Sequence, residues 1–406
     1  MRTRWDKTES VLRDGKRYGN FKDYAEKIWK SMIEAITINE IKKLARTETI
    51  QQQKEILTKR IDSSVISSER AQDIHYQKIA NLGKVFRDYH NWIKSVLIYT
   101  YCGKYIETKD LNAKEKKKNV LVFGIGRGID LMKYYHARVD KCICTDPDSE
   151  NLFGSIDSSI IKYRDNSRKF PDFPKMEFIQ YDGSAELNPD AQEKKLMNMS
   201  ADNKKLIEKM SKLEPLDIFS LQFSIDMMFQ DKLSIEAFSN TVKKYLKSDG
   251  YIICSLFDPS QVLKLLGSNK KYTSYYTDDD GQRMVFFEII KKFDGDMKDD
   301  AGIAVDVHKG WEDQEGKYNQ EYLVTPKLLI KTMEKTGCHL VDTDLFVNTY
   351  HMNREWFEVV IDHEENPKNK KFYKDVSRFY GDLKGADKES RLWNDLFRYY
   401  VFKKVD

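Results

Sequence analysis

The sequence predicts an α/β fold, a mostly parallel β-sheet with helices on both faces, preceded by a helical N-terminal extension. Three observations predict it. Between residues of about 75 and 260, short apolar runs alternate with amphipathic helical patterns. The first run, Asn119–Phe123, leads straight into Gly124-Ile125-Gly126-Arg127-Gly128, and a helical pattern follows. The second and third runs each end at an acid, Asp146 and Asp182. Strands covered by helices on both faces read as continuous apolar runs, as these do.

The elements follow in order. Residues 1–70 are highly charged, with helical periodicity over Tyr24–Ile41 and a polar Gln51–Lys54 stretch, so they read as an extension with no core of its own. Residues 71–406 read as the main domain. Strands are expected at Asn119–Phe123, Lys141–Thr145, Met176–Tyr181, Leu216–Phe223 and Gly250–Leu256, with helices at Ile129–His136, Glu150–Tyr163 and Ser234–Leu246. The Lys-, Met- and Asn-rich segment Glu186–Leu213 reads as a helical insertion before the fourth strand. From about 270 onwards the sequence suggests aromatic-rich strands, charged loops and a final strand.

Composition bounds the chemistry. Of the 406 residues, 40% are hydrophobic, enough for a substantial core, and 33% are charged. The net charge of +4 does not by itself mark a nucleic-acid binder, so any such field must come from clusters such as Lys114–Lys118 and Lys368–Lys371. The five cysteines lie in apolar runs and suggest reduced thiols. Cys142 and Cys144 have no second pair to complete a zinc site, and no metal is expected. No apolar run is long enough to span a membrane, and no membrane partner is expected.

In an open parallel sheet, ligands bind at the carboxyl ends of the strands. Gly124 and Gly126 let the backbone turn and approach a ligand, and the following helix offers free N–H groups to an anion. Asp146, 20 residues after Gly126, can accept from both hydroxyls of a ribose. Asp182 can accept from an adenine amino group. The three together suit an adenosyl ligand without phosphates, such as S-adenosylmethionine (SAM) with its terminal carboxylate. On spacing alone a dinucleotide dehydrogenase stays open.

Five segments then resemble the mRNA cap guanine-N7 methyltransferases, over residues of about 80 to 406. Phe86–Ile98 is similar to that family's Arg-Asn-Phe-Asn-Asn-Trp-Met/Ile-Lys-Ser-Val-Leu-Ile helix, which implies Lys94 on the cofactor carboxylate and His90 and Asn91 near the cap. Val120–Lys133 resembles the glycine loop and its helix, with Arg127 in place of a lysine. Arg127 and Lys133 are the implied grips for the cap phosphates. Phe219–Phe229 resembles Cys-Gln-Phe-x-x-His-Tyr-x-Phe. Gln222 and Phe223 match it, whereas Asp226 replaces the family's cap-contacting histidine and Met227 its tyrosine. The resemblance places Gln222 and Met227 on the cofactor side, with Phe223 and Asp226 on the cap side. Gln320–Val324 matches the Glu-Tyr/Phe-Leu-Val segment. Its Glu321 can accept from both N1–H and the N2 amine of guanine, donors that adenine does not present side by side. Phe397, in the closing Phe397–Lys404 segment, aligns with a cap-facing tyrosine, and a local shift would bring Tyr399 or Tyr400 to that position instead.

The resemblance implies a Rossmann-like class I SAM-dependent methyltransferase fold and methyl transfer from SAM to N7 of the 5′ guanosine of capped mRNA. That nitrogen carries a free lone pair, so no catalytic acid or base is expected and proximity and orientation carry the rate. Arg4-Trp5-Asp6-Lys7-Thr8 resembles the motif that ends the guanylyltransferase domain of capping enzymes. It implies that residues 1–70 are the tail of such a domain and a linker, in a DNA-virus enzyme with fused or associated guanylyltransferase and triphosphatase domains and an activating subunit as a further partner. The expected location is then the cytoplasm, in a virion or viral factory, or the nucleus for a cellular protein. The Asp226 and Met227 departures keep methylation of another RNA base open, and together with Val122, which stands where the family has an aspartate before the glycine turn, they keep open a non-catalytic methyltransferase fold within a capping complex.

Overall fold

A computed structural model describes residues 82–406 apart from 104–116, 197–198, 279–280, 314–315, 378, 380–385 and 406. The 1–70 extension, the Arg4–Thr8 motif and most of the Lys114–Lys118 cluster lie outside the described residues. Strands β1 (Asn119–Phe123), β2 (Lys141–Asp146), β3 (Lys175–Gln180), β4 (Leu216–Gln222) and β5 (Leu246–Phe257) pair in parallel, in the spatial order β3-β2-β1-β4-β5. Four more strands, β6 (Lys271–Thr277), β7 (Arg283–Lys291), β8 (Ala304–Lys309) and β9 (Asn319–Tyr322), form a separate antiparallel sheet. Strands β10 (Cys338–Leu345) and β11 (Phe397–Lys404) complete the main sheet, β11 lying antiparallel between β5 and β10.

The apolar runs form central strands because both of their faces are covered. In β1, Val120 and Val122 pack into one core layer while Leu121 and Phe123 pack into the other. Strand order reverses between β1 and β4, so the carboxyl ends of β1, β2 and β4 border the crevice where such sheets bind ligands. The helix Lys84–Cys102 covers this end of the first layer. It buries Trp92, Ile93, Leu97 and Ile98, each worth roughly 1.5–3 kcal/mol by removal from water.

Two expectations are corrected. The helix expected over Glu150–Tyr163 is two helices, Ser149–Phe153 and Ser159–Lys169. Gly154 turns the chain out of the first, where an added Cβ would meet the Glu150 carbonyl oxygen at 2.5 Å. The aromatic-rich stretch between β10 and β11 forms four helices, Phe346–Met352, Arg354–His363, Pro367–Ser377 and Ala386–Asn394, in place of strands. Aromatic residues of its helices dock on Lys84–Cys102: Trp92 lies 4.6 Å from Phe357 and Tyr89 6.1 Å from Tyr350, while Tyr89 also stacks at 4.8 Å on Phe379 in the turn after the third helix. The Glu186–Leu213 insertion is helical as expected, with Pro189–Lys195 capped by Asn188 and Ala201–Met210 capped by Ser200.

Candidate active site

The glycine turn is built by its own sequence. Gly124, Gly126 and Gly128 have φ values of 66°, 56° and 75°, which side-chain-bearing residues rarely adopt. A Cβ on Gly124 would lie 2.8 Å from Ser224 Cβ, whereas a Cβ on Gly126 would meet nothing within 4 Å. The backbone at Gly126 is therefore open to approach by a ligand. Asp146, at the end of β2, is buried and closes the turn: its Oδ2 accepts the Gly126 N–H at 2.8 Å, and its Oδ1 accepts from the Asp148 N–H at 3.0 Å and Asn151 Nδ2 at 3.2 Å. Burial raises the pKa of this carboxyl, and the three hydrogen bonds oppose the rise. These bonds use three of the four lone pairs of the carboxylate, so Oδ2 can still accept one hydroxyl donor.

Beside the turn lies a buried charge bridge. Asp130 Oδ2 accepts from Lys94 Nζ at 2.8 Å and Oδ1 from Lys133 Nζ at 2.7 Å. Lys133 also donates to Asn91 Oδ1 at 3.1 Å. Burial pushes the Asp130 carboxyl up, but the two ammonium groups outweigh it and hold its pKa below the usual value. Burial and the neighbouring Lys94 charge lower Lys133 against the pull of Asp130. Lys94, Lys133 and Asn91 are thus one unit organised by Asp130. Arg127 stands apart at the exposed tip of the turn, 3.7 Å from Asp157.

Asp182 follows β3. Its Oδ1 accepts from the Ser184 N–H and hydroxyl at 2.8 and 2.6 Å, and its Oδ2 makes no bond among the described residues. The loop is pinned by Gln192 from the insertion, whose side chain is fully buried. Gln192 Oε1 accepts the Asp182 N–H at 2.9 Å, and Nε2 donates to the carbonyls of Asp182, Ala185 and Glu186. Gln222 is turned into the sheet, accepting from Ser255 at 3.0 Å and donating to the Ile253 carbonyl at 3.4 Å. Met227 is 41% exposed on the 3-10 turn Ile225–Phe229 that follows β4.

His90, Phe223 and Phe397 form an aromatic box. Phe223 has φ 58°, a strained conformation for a bulky residue, secured by its N–H on the Ser255 carbonyl at 2.9 Å. Its ring stacks on His90 at 5.1 Å, and Phe397 meets both edge-on at 5.2 and 5.1 Å. Phe397 is buried, with one face stacked on Phe257 at 4.6 Å. Burial first, and then the Lys94 charge, push the His90 pKa down to about 3, so the ring is neutral. Its Nε2 is buried without a hydrogen-bond partner.

Across from the turn, β9 is docked on the 3-10 turn after β4. The Tyr322 N–H donates to Asp226 Oδ2 at 3.3 Å, which brings the Glu321 carboxyl under the influence of the Asp226 charge. Lys309 Nζ lies 3.6 Å from Glu321 Oε1. Burial and the adjacent Asp226 push Glu321 up to about 8, and burial also raises Asp226.

Gln192 and Lys309 were not legible as site residues, because neither sits in a motif: one belongs to the insertion and the other to the second sheet. Asp130 carries a spacing signal, three residues before Lys133. All five cysteines are buried free thiols, and among the described residues no group of three or more His, Cys, Asp or Glu is placed to hold a metal. No helix of the described residues is long and apolar enough to cross a membrane.

The family profile of the mRNA (guanine-N(7))-methyltransferase domain matches residues 64–404. A probable mRNA-capping enzyme of Acanthamoeba polyphaga mimivirus is 32% identical over 416 aligned positions, which take in all of this chain and 34% of that protein. The chain therefore spans about a third of the length of this curated relative. Among solved structures, a SAM-dependent methyltransferase from Clostridium acetobutylicum covers 79% of this chain and 92% of its own, at 12% identity and a TM-score of 0.36. One from Mesorhizobium loti covers 78% and 98%, at 9% identity and a TM-score of 0.37. The chain belongs to the mRNA (guanine-N(7))-methyltransferase family.

Proposed function

We propose that this domain binds SAM along the β1–β2–β3 edge and holds the cap guanine between that edge and β9, with Glu321 gripping the base. The observation that carries the reading is the Tyr322–Asp226 hydrogen bond at 3.3 Å, which holds the Glu321 strand against the carboxyl end of β4. On this reading Asp146 receives a ribose hydroxyl on Oδ2, Asp182 the adenine amino group through its open Oδ2, and Lys94 the terminal carboxylate. Gly124 and Gly126 let the cofactor approach the backbone, and Gln222 and Met227 flank it. The open space at Gly126, the unused Asp182 oxygen and the buried Lys94 ammonium fit such a ligand. On the cap side, Lys133 and Arg127 take the phosphates, Asn91 and His90 border the base, and the Phe223–Phe397 box with Asp226 walls its pocket.

Bound SAM supplies an electrophilic methyl group. The chain supplies orientation and charge. Guanine N7 attacks with a lone pair in the ring plane, so no side chain must remove a proton, and alignment accounts for most of the rate. Methylation leaves positive charge on the guanine, which a Glu321 carboxylate at the base edge favours.

The same reading extends to the longer protein. The Arg4–Thr8 motif and the match to a mimivirus mRNA-capping enzyme support a methyltransferase domain fused behind a guanylyltransferase. An activating subunit as a further partner, and a location in the cytoplasm, a virion or a viral factory, or in the nucleus for a cellular protein, complete the proposal. Glu321→Ala tests the central assignment. Loss of a charge-assisted pair of hydrogen bonds, roughly 3 kcal/mol, lowers cap methylation about 100-fold. Affinity for S-adenosylhomocysteine, measured by calorimetry, stays unchanged. Normal turnover of capped RNA by the variant removes the assignment.

A further inference from the structure

The helix Ser159–Lys169 starts at the tip of the glycine turn. Ser159 Oγ donates to the Gly126 carbonyl at 2.7 Å, and Lys162 Nζ to the Arg127 carbonyl at 2.8 Å. Its 11 residues carry the chain about 16 Å away from that tip. Ile160 and Tyr163 pack inward against the core. Arg164, Arg168 and Lys169 are exposed on the other side, and their side chains make no ion pair or hydrogen bond among the described residues. Arg164 and Arg168 are one helical turn apart and face the same way. The far end of the helix meets a group of rings. Tyr135 stacks on Phe173 at 5.3 Å and lies 4.9 Å from Phe170, and all three are half-buried. The Tyr135 hydroxyl is at the surface, where it donates to Asp172 at 3.3 Å and feels the charge of exposed Arg138.

We propose that the RNA chain beyond the cap runs along the outer side of Ser159–Lys169, its phosphates gripped by Arg164, Arg168 and Lys169 and a base stacked on the Tyr135–Phe173 rings. The proposal rests on the reading of Arg127 as a grip for the cap phosphates, because that puts the start of the RNA chain at the tip where the helix begins. A row of cations leading to partly exposed rings is what a flexible single strand needs: the cations meet its backbone, and the rings take a base of any identity. Guanidinium groups suit phosphate oxygens in particular, since each can donate two parallel hydrogen bonds.

The charge balance along this path favours an anion. Asp165 is the one acid of the helix, set against Lys162, Arg164, Arg168 and Lys169. Asp157, before the helix, is occupied by Lys162 and lies 3.7 Å from Arg127. Exposed cations elsewhere lack the same setting. Lys243, Lys331 and Lys335 line a groove of about 670 Å³ between the helices Lys232–Tyr245 and Pro326–Glu334. Those helices pack into the other core layer, on the opposite face of the sheet from Tyr163, and no aromatic residue lines the groove among the described residues. That trio therefore serves as a control of equal charge.

The test compares the affinity of the S-adenosylhomocysteine complex for the cap dinucleotide GpppA and for a single-stranded RNA of about ten nucleotides bearing the same cap, over a range of salt concentrations. The wild type binds the RNA at least about tenfold tighter than GpppA near 50 mM salt, and the gain fades as salt rises. The triple variant Arg164→Gln, Arg168→Gln, Lys169→Gln loses most of that gain, and its slope of log affinity against log salt is shallower by about 2, the effect of three single-strand phosphate contacts. Its affinity for GpppA and its thermal stability match the wild type. Tyr135→Leu keeps the packing but not the stack; it loses about fivefold in affinity for the RNA and keeps the wild-type salt slope. Lys243→Gln, Lys331→Gln, Lys335→Gln binds both ligands as the wild type does. The proposal is overturned if the wild type gains nothing from the longer RNA, if the Arg164–Arg168–Lys169 variant keeps the gain, or if the control trio loses as much. Arg127→Gln weakens both ligands alike; if it spares both, the reading of Arg127 as a cap-phosphate grip has failed, a result separate from the loss of the length-dependent gain.

Discussion

The Asp146 carboxylate accepts the Gly126 N–H at 2.8 Å, so the acid that closes β2 also holds the glycine turn after β1. Two loops that the chain separates by 20 residues become one rigid lip at the sheet edge. Their separate sequence signals are therefore a single physical device.

Replacing this acid separates its two roles. Asp146→Asn keeps the shape but leaves the Gly126 and Asp148 N–H groups and Asn151 with a neutral acceptor. Asp146→Ala removes the acceptor. At about 1.5–3 kcal/mol for a hydrogen bond to a charged group, Asp146→Ala should weaken S-adenosylhomocysteine binding by tenfold to 100-fold or more, with Asp146→Asn between it and wild type. Calorimetry measures both. Unchanged affinity in the alanine variant refutes the ribose assignment.

Asp130 has two ammonium groups as partners, Lys94 and Lys133. Asp130→Ala strands both in a buried site and should cost about 3–5 kcal/mol in chemical denaturation. Lys94→Met in the same background should recover part of that loss. The folded pKa of Asp130 is depressed, so its contribution is complete above the ordinary aspartate value of 3.8 and fades as pH falls through the folded value. Stability of the Asp130→Ala variant should accordingly depend less on pH at the acid end.

His90 gives the opposite titration. Its folded pKa of about 3 lies below the ordinary 6.5, so the unfolded chain binds the proton first. Stability should fall on acidification below 6.5, with a slope of up to about 1.4 kcal/mol per pH unit. His90→Phe, which suits the aromatic box, should remove that component. The wild-type His90 ring resonances should show no titration between about pH 5 and pH 8.

Gln192 tests the insertion. Gln192→Ala leaves the Asp182 N–H and three carbonyls without their partner, at a cost of roughly 2–3 kcal/mol in stability. Cofactor affinity should fall with it, because the Asp182 loop loses its anchor, while affinity for the cap analogue at saturating S-adenosylhomocysteine should change less. Equal losses in both would mean that the loop serves the cap as well.

Several features could be read from residue order because their physics is local. The glycine turn needs positive φ at Gly124, Gly126 and Gly128, and only glycine meets that need cheaply. Central strands buried on both faces must be apolar throughout, which made Asn119–Phe123 and Leu216–Phe223 legible almost to the residue. Helix faces were harder. Phe346, Tyr350 and Phe357 are aromatic, but whether they serve a strand or a helix depends on the Lys84–Cys102 surface they meet, and that surface comes from a distant part of the chain.

The sequence by itself determined the parallel sheet and the family, since each depends on spacing within a short segment or on a motif. Only the tertiary structure decided how those pieces are wired. It made Asp130 the bridge between Lys94 and Lys133, brought Gln192 from an insertion under the Asp182 loop, and set Asp226 against Glu321 across 95 residues of chain. The physical reason is that buried charges and polar groups must find partners wherever folding puts them, and no local pattern records which partners those are.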